Sequence, residues 1–466
     1  MNIDLSKSYV IGLIAFLWAL TLGLSLQLIF LPYVFPDLHA GDGLLKGADW
    51  VWFNQIAVES AHKINETGWD KWELRLFGQA PAGIAAAIYA LTGVSKPFMY
   101  LPLNAILFGI AVAELHRLIS YIAKENKYTW VGVLPLLLFP SSLMIYGQLH
   151  KDIFSIVGVF LIFNTLLLAG DQKGWKVYLS FFLRTISGLF LIWIVRPYFM
   201  EVVSIAWMAG VSILVLWILW RRPTRYKRLL IIVTGMFFIH QWGVSLSSIQ
   251  DYYAPPPKAN HINSNSINSN SINSNSINSN SINSNSINSN SINSNSINSN
   301  SIALLEKLLV TYPARFDRVR QNFINGYPNA GSMIDANVRF YSVLDVLNYI
   351  PRAIQIGYLA PFPDMWIAQG VNPGSGIMRK ISGIEMLVAY AAFIAGFIGL
   401  IIKYNNENII IIAAVLLTGA VILLVQSIAI PNVGTLYRMR LAPWHVTIGL
   451  SLYFAFKAFI LHRIKK

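Results

Sequence analysis

Four short polar stretches in this chain carry residue types able to do chemistry. The first is Gly41-Asp42-Gly43 followed by Asp49, two carboxylates that could take a proton or orient a hydroxyl. The second is His150-Lys151-Asp152, between two strongly apolar runs. The third is Arg196-Pro197-Tyr198, where the proline breaks the chain and points a guanidinium at the membrane interface. The fourth runs from Pro431 to Arg440 and ends Tyr437-Arg438-Met439-Arg440, whose two guanidiniums would suit a phosphate through forked, charge-assisted hydrogen bonds. Ionisable groups at the edge of apolar spans are costly, and by default they point to function. The bland readings stay open beside this one: a solvated loop with an ordinary helix cap, a hydrated turn, and interfacial arginines that reach the headgroups.

The elements that must position these groups are membrane helices. The chain is 55% hydrophobic and only 12% charged, far below the roughly 25% charged of a soluble domain. It has no cysteine, which excludes disulfides and thiolate metal sites. The net charge of +14 sits largely in short loops and at the C-terminus, where it acts as a topology signal and argues against a nucleic-acid partner. A span needs about 20 apolar residues. By that measure the spans are Tyr9–Leu31, Pro97–Leu115, Trp130–Leu149, Ile153–Gly170, Val177–Val195, Tyr198–Trp220, Leu229–Leu246, Gly383–Lys403, Asn408–Ile430 and Ala442–Leu461. The fold class is therefore all-α, a polytopic bundle of about ten spans, with interfacial helices on the outer face. Tyr9–Leu31 reads as a retained first span, because it exceeds a signal core and lacks a small-residue cleavage site. Ala80–Gly93 is too short to cross and reads as re-entrant or interfacial.

Sidedness follows from the basic loops. Arg221 to Arg228 and His462 to Lys466 mark cytoplasmic ends. Counting back places all four polar stretches outside, provided Ala80–Gly93 does not cross. The organisation is an N-terminal membrane module over 1–246 with its first outer loop at 36–79, an outer segment over 247–382, and a C-terminal membrane module over 383–466.

In the first loop, Asp49 reads as an N-cap and Gly68 as a stop for a surface helix with Phe53, Ile56, Ala57, Ala61 and Ile64 on one face. Asp42 and Asp49, seven positions apart, would share a face on a helix. The outer segment carries Ile-Asn-Ser-Asn-Ser repeated without substitution from Ile262 to Ser301. Such a polar tract cannot bury enough apolar surface to fold and reads as a disordered insertion. After it, Leu304–Arg320 reads as an amphipathic helix. Asp345–Trp366 reads as an interfacial piece broken by Pro351, Pro361 and Pro363. Inside the spans, Arg184 and Glu201 read as site candidates or as partners of each other. Asn104, Asn164 and Gln426 read as interhelical glue.

The chain has no zinc signature, no phosphate-cradling glycine loop followed by lysine and no nucleophile elbow. In layout it resembles the bacterial polytopic glycosyltransferases of the GT-C type. The matching part is the Asp42 to Ile64 segment, an acid in the first outer loop beside an interfacial helix. Lys151-Asp152, Arg196-Pro197-Tyr198 and Asn432 to Arg440 are similar to motifs in membrane proteins of envelope polysaccharide clusters. Many such enzymes have two adjacent acids in the loop, whereas Gly43 follows Asp42 here, so the acid is open between Asp42 and Asp49.

The resemblance implies a multi-pass protein of the bacterial inner membrane. Its donor would be a polyprenyl-phosphate-linked sugar and its acceptor a lipid-linked or envelope glycan, with the lipid bilayer as its surroundings. Asp42 or Asp49 would be the catalytic base. His150, Lys151, Asp152, Arg196, Tyr198, Tyr437, Arg438 and Arg440 would bind substrate. No cofactor is implied with certainty. A divalent metal at Asp42 or Asp49 is open for phosphate handling, but one or two carboxylates do not establish it. A polysaccharide polymerase or ligase, and a transporter or flippase of lipid-linked glycans, are the alternatives. No repeat between the two halves favours the transporter.

Overall fold

A computed structural model describes residues 4–47, 49–125, 127–168, 175–221, 235, 312–328, 330–369, 373–403 and 409–464. The repeat tract and, apart from Gly235, Leu229–Leu246 lie outside the described residues, as do Leu304 to Thr311 of the amphipathic helix expected ahead of Arg320. The described chain is helical and contains no strand, only isolated bridges.

In chain order the helices are α1 (Ser8–Ser25), continued by a π-type stretch to Val34, α2 (Asp49–Thr67), α3 (Ala80–Thr92), α4 (Leu101–Ala123), α5 (Leu134–Leu138), α6 (Pro140–Tyr146), α7 (Asp152–Leu168), α8 (Trp175–Val195) and α9 (Pro197–Arg221). Then come α10 (312–326), α11 (Val343–Leu359), α12 (Pro363–Trp366), α13 (Pro373–Lys403), α14 (Ile409–Ala429), α15 (Val433–Met439) and α16 (Leu441–Ile464). Among the described residues, six helices are long and apolar enough to cross a membrane, seven if the bent pair is one span. The α3 helix has 13 residues and α7 has 17.

The bend has a sequence cause. Pro140 lacks an amide donor and keeps Phe139 extended, at φ −68° and ψ 129°. The two halves of the expected Trp130–Leu149 span therefore meet at 70°. The freed groups find side-chain partners: Glu385 accepts the Ser141 amide at 2.7 Å, and the Trp18 indole donates to the Leu137 carbonyl at 3.1 Å.

The core is a continuous apolar cluster along α1, α4, α7, α8, α9 and α14. Close approach of α1 and α4 needs glycine. A Cβ on Gly12 would meet the Gly109 carbonyl at 2.9 Å, and one on Gly109 would meet the Gly12 carbonyl at 2.7 Å. Asn104, Asn164 and Gln426 all donate to main-chain carbonyls of neighbouring segments, as glue should.

Two expectations are corrected here. Arg184 does not pair with Glu201: it pairs with Glu114 of α4, while Glu201 takes both guanidinium nitrogens of Arg315 at 3.0 and 2.8 Å. Helix packing across the bundle decides those partners, and nearness in sequence does not. Pro351 does not break the helix there, because α11 runs through it. A Ser342–Asp345 capping box fixes its start, and Tyr349, Ala353, Ile356 and Gly357 bury one face. Capping and burial offset the proline's cost of about 3 kcal/mol.

Candidate functional site

Four polar segments meet at one end of the bundle. The turn from Gly147 to Lys151 between α6 and α7 is built from buried polar contacts. Asn104 donates to the Gln148 carbonyl at 2.6 Å and the Tyr146 carbonyl at 3.2 Å. Gln27 donates to the Gly147 carbonyl at 2.9 Å. The Gln148 amide reaches into the first loop, accepting from the Leu45 amide at 3.1 Å and donating to the Gly43 carbonyl at 3.3 Å. Gly43 has no room for a side chain: a Cβ would lie 2.6 Å from that of Gln27, and its φ is +79°. The first loop is thus tied to the turn that carries His150, Lys151 and Asp152.

Arg196 sits at the break between α8 and α9, where Pro197 ends one helix and starts the next. Arg75 steadies that break. It donates to the Trp193 carbonyl at 2.5 Å and the Ile194 carbonyl at 3.1 Å, with its guanidinium 4.2 Å from the Trp193 ring centre. Arg438 comes from α15, a short helix capped by Asn432, whose side chain accepts the Thr435 amide at 2.9 Å.

These residues form one cluster. Arg196 is ion-paired with Asp152, both buried in the bundle. His150 lies with Nδ1 3.2 Å from Asp152 and Nε2 3.4 Å from Arg438. The Asp152 main-chain amide also lies 3.1 Å from Nδ1, and a neutral ring has one donor and one acceptor nitrogen, so the tautomer decides which of these contacts is a hydrogen bond. The Trp50 ring closes one side of His150 at 5.8 Å between ring centres. Lys151 donates to Gln79 at 3.2 Å, and its ammonium lies 5.6 Å from the Phe53 ring centre.

Burial pushes the His150 ring down to about 4, so it is neutral at pH 7. Burial, then the nearby Arg196, pushes the Lys151 ammonium down to about 8. Asp49, half-buried at the start of α2, adds its charge to the field at Lys151 and Arg196. Three cations (Lys151, Arg196, Arg438) face two carboxylates (Asp49, Asp152). The cluster carries one net positive charge in a desolvated setting, which suits an anion.

Other sequence candidates lie elsewhere. Asp42 is not on a helix with Asp49. Flanked by Gly41 and Gly43, it adopts a left-handed φ of 52° in an exposed turn and pairs with Lys96 at 2.5 Å. Asp49 is the first residue of α2, and Gly68, with φ 105°, follows the helix end. Tyr198 is exposed.

The forked pair of Arg438 and Arg440 is also corrected. Residues two apart on a helix point about 200° away from each other. Arg440, 1% exposed, donates to the Gly357 carbonyl at 2.9 Å and lies 4.7 and 4.9 Å from the Tyr437 and Trp444 ring centres. Tyr437 donates to Glu385 on that same side. Among the described residues no group of three or more His, Cys, Asp or Glu could hold a metal ion.

Sequence reasoning passed over Gln148, Trp50, Gln79 and Arg75. Gln148 carried a signal, a polar amide two residues before His150 at the end of an apolar run. The others are recognisable only through contacts more than 70 positions away.

No family model matches this chain, no curated protein matches it, and no solved structure matches it.

Proposed function

We propose that the protein is a multi-pass membrane transferase of the bacterial inner membrane, moving a sugar from a polyprenyl-phosphate donor to a glycan acceptor on the periplasmic face. The observation that carries this reading is the convergence of Lys151, Arg196 and Arg438 beside Asp49, at the bundle end where the first loop meets α7, α9 and α15.

In the proposed step, the Asp49 carboxylate takes the proton of the acceptor hydroxyl. The hydroxyl oxygen attacks the anomeric carbon, and the carbon–oxygen bond to the phosphate breaks with its electron pair leaving on the lipid phosphate. Negative charge grows on that phosphate, and Lys151 and Arg438 stabilise it. Asp152 and His150 hold Arg196 and Arg438 in place. Asp49 fits the role of base better than Asp42, because it adjoins the cations while Asp42 is exposed and engaged by Lys96. About ten passes follow if α7, α16, the bent pair and Leu229–Leu246 all cross.

The excess of cations over free carboxylates also favours a polysaccharide polymerase or ligase, which would work through its arginines. Purified protein given a synthetic polyprenyl-phosphate sugar and an acceptor glycan separates the readings. Sugar transfer with release of polyprenyl phosphate supports the transferase, joining of preformed lipid-linked glycans supports the polymerase, and lipid movement without transfer rejects both. For sidedness, exposed Lys46 is the position to make cysteine, since Gly43 cannot accept a side chain. Labelling of Lys46→Cys in whole cells by an impermeant thiol reagent supports the periplasmic assignment. Labelling only after lysis rejects it.

A further inference from the structure

Helix α10 and the chain just before α11 hold a second polar site that the proposed transfer does not use. Helix α10 and the segment from Arg339 to Tyr341 enclose an open cavity of about 430 Å3. Asp317, Arg318, Gln321, Arg339 and Tyr341 line it. One wall is pre-organised. Asp317 takes Arg339 in a fork at 2.8 and 2.7 Å and the Phe340 amide at 3.1 Å. Arg318 stands exposed beside that pair, so the cavity has two guanidiniums against one carboxylate.

An apolar track leads away from the cavity. Tyr341, 77% exposed, lies at its edge, and α11 begins two residues later. On α11, Leu344, Leu347, Pro351 and Ile354 are exposed at spacings of three and four. They fall within about 80° of one another at 100° per residue, so they form one stripe. The opposite face, with Tyr349, Ala353, Ile356 and Gly357, is buried. There Gly357 meets Leu423 and Ser427 near the end of the membrane-crossing α14. The stripe therefore lies at the level where α14 ends.

We infer that this cavity and stripe together bind an anionic phospholipid, with the phosphate headgroup at Arg318 and Arg339 and an acyl chain along Leu344, Leu347 and Ile354. The polar half supplies positive charge for the phosphate. The apolar half supplies an outward stripe that water would otherwise cover, as on helices lying in a membrane interface. Binding here does not depend on the transferase reading.

The test is native mass spectrometry of the full-length protein in detergent, titrated with phosphatidylglycerol, phosphatidylcholine or a polyprenyl phosphate. Phosphatidylglycerol should be retained at least ~5-fold better than phosphatidylcholine. Arg318→Gln should remove most of that preference, while Leu344→Ser with Leu347→Ser should weaken retention of both phospholipids. Both sets of changes lie on the surface and should leave the protein monodisperse. Equal retention of the two phospholipids would overturn the inference, as would a preference unchanged by Arg318→Gln. Polyprenyl phosphate outcompeting phosphatidylglycerol, with the competition lost in Arg318→Gln, would overturn the assignment to bulk phospholipid.

Discussion

The Asp152 carboxylate lies against the Arg196 guanidinium inside the bundle, 1% and 6% exposed, and joins the start of α7 to the break before α9. Two charges this deep persist only because each neutralises the other. His150 and Arg438 then arrange themselves around that pair.

Removing one partner should therefore cost more than removing both. Arg196→Gln is expected to destabilise the folded protein by roughly 3–5 kcal/mol, because it strands a buried carboxylate. Adding Asp152→Asn should restore part of that loss. Thermal unfolding in detergent measures it, and an Arg196→Gln protein as stable as wild type would show that the pair is not structural.

The two titratable groups of the turn set a pH dependence. His150 is held neutral by burial down to about pH 4, whereas in the unfolded chain it takes up a proton near 6.5. The unfolded state binds the extra proton in that window, so stability falls as pH drops from about 6.5 toward 4. Lys151 loses its proton near 8 when folded and near 10.5 when unfolded. Stability therefore rises as pH climbs through that second window, while turnover, which uses the ammonium, falls above about pH 8. Lys151→Arg should remove the alkaline fall, since guanidinium stays charged. Unfolding midpoints and rates across pH 4–10 check both limbs. An acid limb unchanged in His150→Gln, or an alkaline fall that persists in Lys151→Arg, would refute the assignments.

Much of this arrangement was legible in the sequence. The apolar runs include the six described helices long and apolar enough to cross a membrane, and charges at the ends of such runs marked His150, Asp152, Arg196 and Arg438. The divergence of Arg438 and Arg440 was hidden because α15, only seven residues long, left no periodic pattern to read. The partners of Arg184 and Glu201 were hidden for another reason. Each is 70 or more positions away and is chosen by helix packing. Pro140 was visible, but its effect, a 70° bend inside an apolar run, depends on Glu385 and Trp18 taking the freed groups.

That divergence separates the two arginines experimentally. Arg438→Ala should raise the KM for the polyprenyl-phosphate donor while leaving the fold intact, and Arg438→Lys should recover only part of the affinity. Arg440→Ala should instead lower stability by about 1–3 kcal/mol, since it strands the Gly357 carbonyl and two aromatic faces. Steady-state kinetics beside thermal unfolding tests this. The same phenotype for both variants would contradict it.

The repeat from Ile262 to Ser301 should be dispensable. It offers no apolar face to bury, and loop length costs little entropy. A chain lacking it should reach the membrane and turn over at close to the wild-type rate. A loss of folded protein in size-exclusion chromatography would assign the tract a structural part.

The central claim is that Asp49, set beside the cationic cluster, takes the acceptor's proton. Its most direct measurement is sugar transfer per mole of folded protein for Asp49→Asn and Asp42→Asn side by side. The Asp49→Asn change keeps the shape and removes the basic oxygen, and turnover should fall at least ~100-fold. Asp42→Asn, which only loosens an exposed pair with Lys96, should remain within a few-fold of wild type. Full activity in Asp49→Asn, or a loss confined to Asp42→Asn, would contradict this account.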